Sequence, residues 1–154
     1  MSVRLRSVGR ADLEPLARLH AQCFPEDAWD AAALAGILAM KGAEARLAEE
    51  ATQPLGLLFA TILGAEAEIL TFGVAPAARR RGIARILLDD FFARARALGA
   101  AGVVLEVAAD NGPALALYES AGFRTVGLRH AYYRRERGPA IDAWLLRAAL
   151  NRSP

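Results

Sequence analysis

The sequence lacks the features that mark disulfide-stabilised, metal-binding and membrane proteins. Its single cysteine, Cys23, excludes an internal disulfide and favours a reducing compartment. His20 and His130 have no partners at metal-ligand spacing, so no bound metal is predicted. There is no signal-peptide-like run at the amino terminus, and charged residues interrupt the apolar stretch 83–98, so no membrane span is predicted. We therefore expect a cytoplasmic protein without a membrane partner.

Neither charge sign is in large excess. The net charge of +2 is too small to argue for nucleic acid as a partner. The charge is unevenly spread, because residues 1–75 carry six Lys/Arg and ten Asp/Glu, whereas residues 76–154 carry 13 and seven. This asymmetry suggests an anionic ligand in the second half of the chain, although ordinary surface charge would give the same pattern.

Length and periodicity predict one mixed α/β domain over residues 1–154. The chain has 154 residues, 55% of them hydrophobic, which is enough for a buried core. The apolar periodicities predict the element order β-α-α-β-β-β-α-β-α-β-β, with a crossover between the fourth and fifth strands. Predicted strands are 3–8, 43–49, 55–63, 66–74, 103–107, 124–133 and 140–146, and predicted helices are 11–23, 30–40, 82–98 and one between Asn111 and Gly122. We expect N-caps at Asp30 and Asn111, a turn around Gln53-Pro54 and a turn at Gly138-Pro139.

A basic segment between a predicted strand and a predicted helix is a candidate anion site. It reads Arg79-Arg80-Arg81-Gly82-Ile83-Ala84 and is followed by Arg85. A helix N-terminus presents unpaired N–H groups and the positive end of a dipole, and Gly82 lets the backbone approach an oxyanion closely. The P-loop pattern and the Rossmann fingerprint are both missing. Taken alone, the segment is better explained as a solvated basic turn.

The pattern Arg-x-x-Gly-x-Ala, following a strand that ends in Val-x-Pro, resembles motif A of the GNAT acetyltransferases. In that family the loop amides bind the pyrophosphate of coenzyme A, so the resemblance implies acetyl-CoA as the donor, held at residues 79–85. It also implies the GNAT fold, a mixed sheet splayed to hold acetyl-CoA. Phe72, Gly73 and Val74 match the strand segment whose backbone pairs with pantetheine. Gly73 is consistent with a bulge, with close approach of another segment, or with a plain weak spot in a strand.

A second group of residues is similar to the RimI-type ribosomal-protein alanine N-acetyltransferases. The likeness spans residues 66–146 and is carried by Leu105-Glu106-Val107, Asn111, the segment 116–123 and Tyr132-Tyr133. It implies acetylation of a protein N-terminal α-amine, such as that of a ribosomal protein. Acetylation of a small amine or a lysine side chain remains an alternative, as does a non-catalytic acyl-CoA-binding module.

Acetyl transfer to an amine needs a base for the ammonium proton and an acid for the departing thiolate, and a carboxylate and a phenol could fill these roles. The resemblance implies Glu106 as the base, acting through water, Tyr118 as the acid, and Asn111 as a cofactor contact. Tyr118 lies about two helical turns after Asn111 and so on the same side of the helix. From the residues alone, an arginine-paired Glu106 and a core Tyr118 are the simpler interpretations.

Phe24-Pro25 resembles the substrate-side loop of the RimI type. That family usually has tryptophan directly after the proline, whereas here Glu26 and Asp27 come first and Trp29 follows. These carboxylates could attract a cationic acceptor, or they could belong to a solvated acidic loop.

Overall fold

The computed structural model describes residues 2–133 and 138–150. Its elements follow the predicted order, with short 3-10 turns at Arg10–Asp12 and Pro76–Ala78. The strands are β1 (Arg4–Ser7), β2 (Ala43–Glu50), β3 (Gln53–Leu63), β4 (Glu66–Val74), β5 (Gly102–Ala108), β6 (Arg124–Tyr133) and β7 (Ile141–Ala149). The helices are α1 (Leu13–Cys23), α2 (Ala31–Leu38), α3 (Ile83–Ala97) and α4 (Gly112–Ser120).

The seven strands form one sheet in the order β1-β2-β3-β4-β5-β7-β6. All neighbours are antiparallel except β4 and β5, which are parallel and connected through α3. A parallel pair requires such a crossover. The mixed α/β fold is therefore confirmed, together with the crossover between the fourth and fifth strands.

The core is centred on β3, where every residue from Leu55 to Thr61 is buried. Successive side chains of a strand face opposite sides of the sheet, so both faces of β3 are covered. Helices α1 and α3 both contact this strand. Phe59 and Phe91 are among the largest fully buried side chains, each worth about 1.5–3 kcal/mol relative to exposure. This buried centre contacts β4 and α3.

The turn between β2 and β3 differs from the prediction at Gln53-Pro54. Ala51 and Thr52 form it, with φ angles of +54° and +93°, because Glu50 pairs with Gln53 and closes a two-residue hairpin. Pro54 lies inside β3, opposite Glu49 at an irregularity of the ladder that accommodates its missing N–H. The turn therefore lies two residues before the position that Pro54 indicates.

Both predicted N-caps are confirmed. Asp30 Oδ1 accepts from the Ala33 N–H at 2.8 Å, and Asn111 Oδ1 accepts from the Ala114 N–H at 3.2 Å. Gly138 has a φ of +86°, as the predicted final turn requires, while residues 134–137 lie outside the described part of the chain. No helix within the described ranges is both long enough and apolar enough to cross a membrane.

Candidate active site

A cleft opens where β4 and β5 stop pairing. Their parallel ladder ends at Glu68 and Val104, although both strands continue for several residues. The space between them has a volume of about 670 Å³. It is lined from β4 by Leu70, Thr71 and Phe72, from β5 by Leu105, Glu106 and Val107, and from α4 by Ala114 and Tyr118. The expected splay of the sheet is therefore present.

The β4 wall of the cleft shows why Gly73 is glycine. A Cβ at Gly73 would lie 3.1 Å from Cys23 Sγ and 3.2 Å from Phe24 Cε2, so close approach of α1 is the correct interpretation. The bulge lies instead at Leu70, which is left over between the pairs Ala60–Ile69 and Phe59–Thr71. Beyond Glu68 the described residues give β4 no strand partner on the cleft side. Residues 69–72 line the opening there, whereas Gly73 and Val74 do not.

The start of α3 carries the geometry of an anion site. Gly82 precedes the helix with a φ of +76°, and no described side chain caps its N-terminus. A Cβ at Gly82 would meet nothing within 4 Å, so there is open space beside this residue at the start of α3. Arg80 also has a positive φ of +65°, an uncommon conformation for a residue with a side chain. The Ile83 side chain is buried, so only its backbone N–H is available to a ligand.

Three of the four arginines of the loop are engaged by the protein. The Arg79 Nε donates to the Val74 carbonyl at 3.2 Å, Arg81 pairs with Glu50 at 2.8 Å, and Arg85 pairs with Asp89 at 3.0 Å. Arg80, in contrast, makes no ion pair with any residue in the described ranges. The basic loop is thus partly structural, and Arg80 is its most available cation.

Asn111 and Tyr118 both face the cleft from α4. The Asn111 side-chain oxygen is used as the helix cap, which leaves its amide group available. Tyr118 is only 8% exposed, and its ring lies 6.2 Å from that of Phe72 and 5.4 Å from that of Phe123. Burial, and secondarily the neighbouring Tyr133, raise the pKa of Tyr118, so the phenol stays protonated at neutral pH.

Glu106 lies in the same cleft with a side chain that is 21% exposed. Its Oε1 is 3.2 Å from Nη2 of Arg129 on β6. The Arg129 guanidinium also lies 5.1 Å from the centre of the Tyr132 ring. Glu106 therefore faces the cleft and is also paired with an arginine.

A second cavity, also about 670 Å³, adjoins the first and shares Glu106, Trp29 and Tyr133 with it. Glu26 and Asp27 line both cavities, and Tyr132 and Glu68 line the second. Residues of the α1–α2 loop (residues 24–30) and of β6 thus both line this second cavity, which we call the mouth of the cleft. Sequence reasoning missed Glu68 and Arg129, because only the sheet order brings β4, β5 and β6 together here.

His20 is another residue whose place could not be read from the sequence. It is 1% exposed, and its ring lies 2.9 Å (Nε2) from Thr71 Oγ1 and 3.0 Å (Nδ1) from the Trp29 backbone nitrogen. The spacing of the histidines in the sequence indicates only that no metal is bound, and it does not predict the contacts of His20 with Thr71 and Trp29.

The comparisons with known proteins agree with this geometry. A model of the Acetyltransferase (GNAT) family matches residues 13–123. The chain belongs to the GNAT acetyltransferase family, as motif A predicts, and it is an acetyltransferase. Among its relatives is N-alpha-acetyltransferase RimI of Mycobacterium tuberculosis, 41% identical over 138 residues that cover 86% of this chain and 85% of that protein. The ribosomal protein bS18-alanine N-acetyltransferase of Salmonella typhimurium is 38% identical over 73 residues, which cover 47% of this chain and 49% of that protein.

Solved structures show the same fold. The ribosomal-protein-S18-alanine N-acetyltransferase of Escherichia coli superposes with a TM-score of 0.91 at 23% identity, covering 99% of this chain and 97% of that one. Arabidopsis thaliana NAA60 in complex with acetyl-CoA gives a TM-score of 0.85 at 24% identity, covering 96% and 98%. The predicted GNAT fold and the resemblance to the RimI type are therefore confirmed.

Proposed function

We propose that this chain transfers the acetyl group of acetyl-CoA directly to a protein N-terminal α-amine, with Glu106 as general base and Tyr118 as general acid. The observation that carries the proposal is a single cleft that holds a carboxylate and a protonated phenol between an unpaired strand edge and α4. The buried cluster extends from Leu16 to Leu150, which supports treating residues 1–154 as one GNAT domain.

The residues around the cleft fit acetyl-CoA. The uncapped N-terminus of α3 at Gly82 would hold the pyrophosphate through backbone N–H groups, with charge added by Arg80. The edge of β4 at Phe72, Gly73 and Val74, which has no strand partner on this side among the described residues, would pair with the amides of the pantetheine arm. Asn111 would contact the arm from the start of α4. When bound, acetyl-CoA supplies the activated thioester carbonyl.

Glu106 removes the proton that the amine must lose. At pH 7 only about 9% of an α-amine with a pKa of 8 is neutral, and about 0.04% of a lysine with a pKa of 10.4. The cleft of about 670 Å³ is large enough to hold a water beside Glu106, and in the proposed mechanism the proton passes to the carboxylate through such a water. The α-amine is the easier acceptor for such a base.

Tyr118 gives the departing sulphur its proton. A thiol has a pKa of about 8.5, so its thiolate is a moderate leaving group at pH 7 and protonation assists its departure. The raised pKa of Tyr118 keeps the phenol protonated at neutral pH, so the proton is present when the sulphur departs. No covalent acetyl-enzyme is needed, since the amine attacks directly.

Two observations support a protein N-terminus as the acceptor. The M. tuberculosis relative is named an N-alpha-acetyltransferase, and the S. typhimurium relative is named for alanine of ribosomal protein bS18. The mouth between the α1–α2 loop and β6 carries Glu26, Asp27 and Glu68, which favours a cationic residue shortly after the acetylated amine.

Coenzyme A release tests this function. We expect release with an alanine-initiated peptide, faster when its second or third residue is arginine than when it is glutamate. Binding of acetyl-CoA without coenzyme A release for any of a peptide, a polyamine and a lysine peptide would instead identify an acyl-CoA sensor. Release with the polyamine alone would favour the small-amine alternative.

A further inference from the structure

The α1–α2 loop forms much of the acceptor side of the cleft but has little backbone structure of its own. Phe24, Glu26, Asp27 and Trp29 all line the cleft from this loop. Within it, the only backbone bond among described residues that does not involve a helix is that from the Asp27 N–H to the Phe24 carbonyl, at 3.1 Å. Its position must therefore depend on side-chain contacts with the rest of the protein.

His20, on α1, supplies two of these contacts at once. Its Nδ1 accepts a hydrogen bond from the Trp29 N–H at 3.0 Å, so in the neutral ring the proton is on Nε2. That N–H then donates to Thr71 Oγ1 on β4, at 2.9 Å. The imidazole thus joins the far end of the loop to the cleft wall, and one tautomer satisfies both bonds.

Ring contacts add to this anchor. The His20 ring is stacked on Trp29 at a centroid distance of 5.1 Å and an interplanar angle of 16°, and the Phe24 ring lies 4.6 Å away. Phe24 Cε2 also lies close to the backbone of Gly73. Both ends of the loop are therefore packed against the α1–β4 junction.

We propose that His20 is a positioning residue, which through Trp29 and Thr71 holds the α1–α2 loop against β4 as the acceptor-side wall of the cleft. The inference rests on the proposed function of this cleft. It predicts a larger effect on acceptor binding than on donor binding. The proposed donor contacts at Gly82 and Arg80 have no bond to His20, and those proposed at Phe72, Gly73 and Val74 are made by the main chain of β4, which loss of a side-chain hydrogen bond leaves in place.

The test uses Thr71, where the hydroxyl can be removed without changing the shape of the side chain. Thr71→Val eliminates the acceptor of the His20 N–H, whereas Thr71→Ser retains it. In Thr71→Val we expect the KM for an alanine-initiated peptide to rise by about three- to tenfold, the range for loss of one buried hydrogen bond. The KM for acetyl-CoA and kcat should stay within about twofold, and Thr71→Ser should restore the acceptor KM.

A second measurement follows the loop without any catalysis. The chain has two tryptophans, so in a Trp144→Phe background the fluorescence comes from Trp29 alone. Acrylamide should quench Trp29 more strongly in Thr71→Val than in Thr71→Ser. The quenching of Trp29 does not depend on which amine the enzyme acetylates. It therefore separates failure of the inference about the loop from failure of the proposed function.

Three results would overturn the inference. Unchanged quenching in Thr71→Val would show that His20 does not hold the loop. Stronger quenching with an unchanged acceptor KM would show that the loop position does not govern acceptor binding. Equal increases in KM for acceptor and for acetyl-CoA would point to a general structural defect.

Discussion

Arg129 on β6 and Glu106 on β5 meet across the mouth of the cleft, with 3.2 Å between Nη2 and Oε1. The strands that carry them are not neighbours, because β7 lies between β5 and β6. The proposed base is therefore oriented by a residue from the far edge of the sheet. The Arg129 side chain is 52% exposed, which limits what this pair can contribute.

Arg129→Ala should reduce kcat/KM by less than about fivefold, because exposed ion pairs contribute at most about 1 kcal/mol. Steady-state kinetics with an alanine-initiated peptide measures this change. Arg124→Ala removes the same charge from the same strand without touching Glu106 and serves as the matched control. A loss as large as that caused by Glu106→Gln would mean that Arg129 itself contacts the reacting groups.

Tyr118→Phe should leave acetyl-CoA binding intact and reduce turnover by about 10²-fold or more, because only the proton donor is removed. Calorimetry and coenzyme A release measure the two quantities separately. Tyr132→Phe removes a hydroxyl from a 47% exposed tyrosine at the mouth and should change turnover little.

Glu106→Gln should also reduce turnover, most severely at low pH, where the amine is most fully protonated. A pH–rate profile of kcat/KM for this variant checks the expectation. Wild-type rates at every pH, in this variant and in Tyr118→Phe alike, would show that amine already deprotonated in solution is sufficient.

Gly82→Val should weaken acetyl-CoA binding by about tenfold or more, since a branched residue at φ +76° strains the turn and projects into the open space at the start of α3, where we propose that the pyrophosphate binds. Gly64→Val is the matched control, because Gly64 also has a positive φ (+60°) and open space but lies in the β3–β4 turn. Calorimetry with both variants separates ligand contact from backbone strain, and equal affinities for acetyl-CoA would exclude the loop as its site.

The stability of the protein should fall in mild acid because of His20. Burial lowers the pKa of His20, while the charge of Asp27 acts in the opposite direction. At this histidine the unfolded state therefore binds a proton more readily than the folded state does. The contribution of neutral His20 to the free energy of unfolding is complete above pH 6.5 and is lost as the pH falls from there through the lower folded-state pKa. One such group gives a slope of at most about 1.4 kcal/mol per pH unit.

Urea unfolding between pH 7 and pH 5 measures this slope. His20→Phe keeps an aromatic ring but cannot titrate, so its stability should vary less over this range. Asp12 and Glu49, whose pKa values are lowered by hydrogen bonds from Arg6, lose their contributions only at lower pH, below about 4.5. Equal slopes for the wild type and His20→Phe would contradict the expected role of His20.

Local signals were sufficient for most of the fold. Asp30 and Asn111 are read correctly as caps because capping depends on a side chain and the next three residues. The sequence does not predict the turn at Ala51-Thr52, because alanine and threonine rarely adopt a positive φ, whereas the nearby Pro54 is a strong turn signal. There the strand register, and not the local propensity, decides the turn.

Only those residues of the candidate site that lie in recognisable sequence motifs could be predicted from the sequence. Gly82, Glu106 and Tyr118 stand in segments with a recognisable family pattern. The contacts of His20 with Thr71 and of Arg129 with Glu106 join residues 51 and 23 positions apart, respectively. No periodicity within one element encodes such pairs, because they depend on which strands become neighbours and where β4 and β5 separate.

The acceptor that we propose for the cleft is a protein N-terminal α-amine. Mass spectrometry on two peptides of the same sequence tests it most directly, one with a free N-terminal alanine and no free lysine, the other with a blocked N-terminus and one free lysine. We expect rapid addition of one acetyl group to the first peptide and a much slower reaction of the second, because an α-amine near pKa 8 is far easier to deprotonate than a lysine near 10.4. Faster modification of the blocked lysine peptide would contradict it.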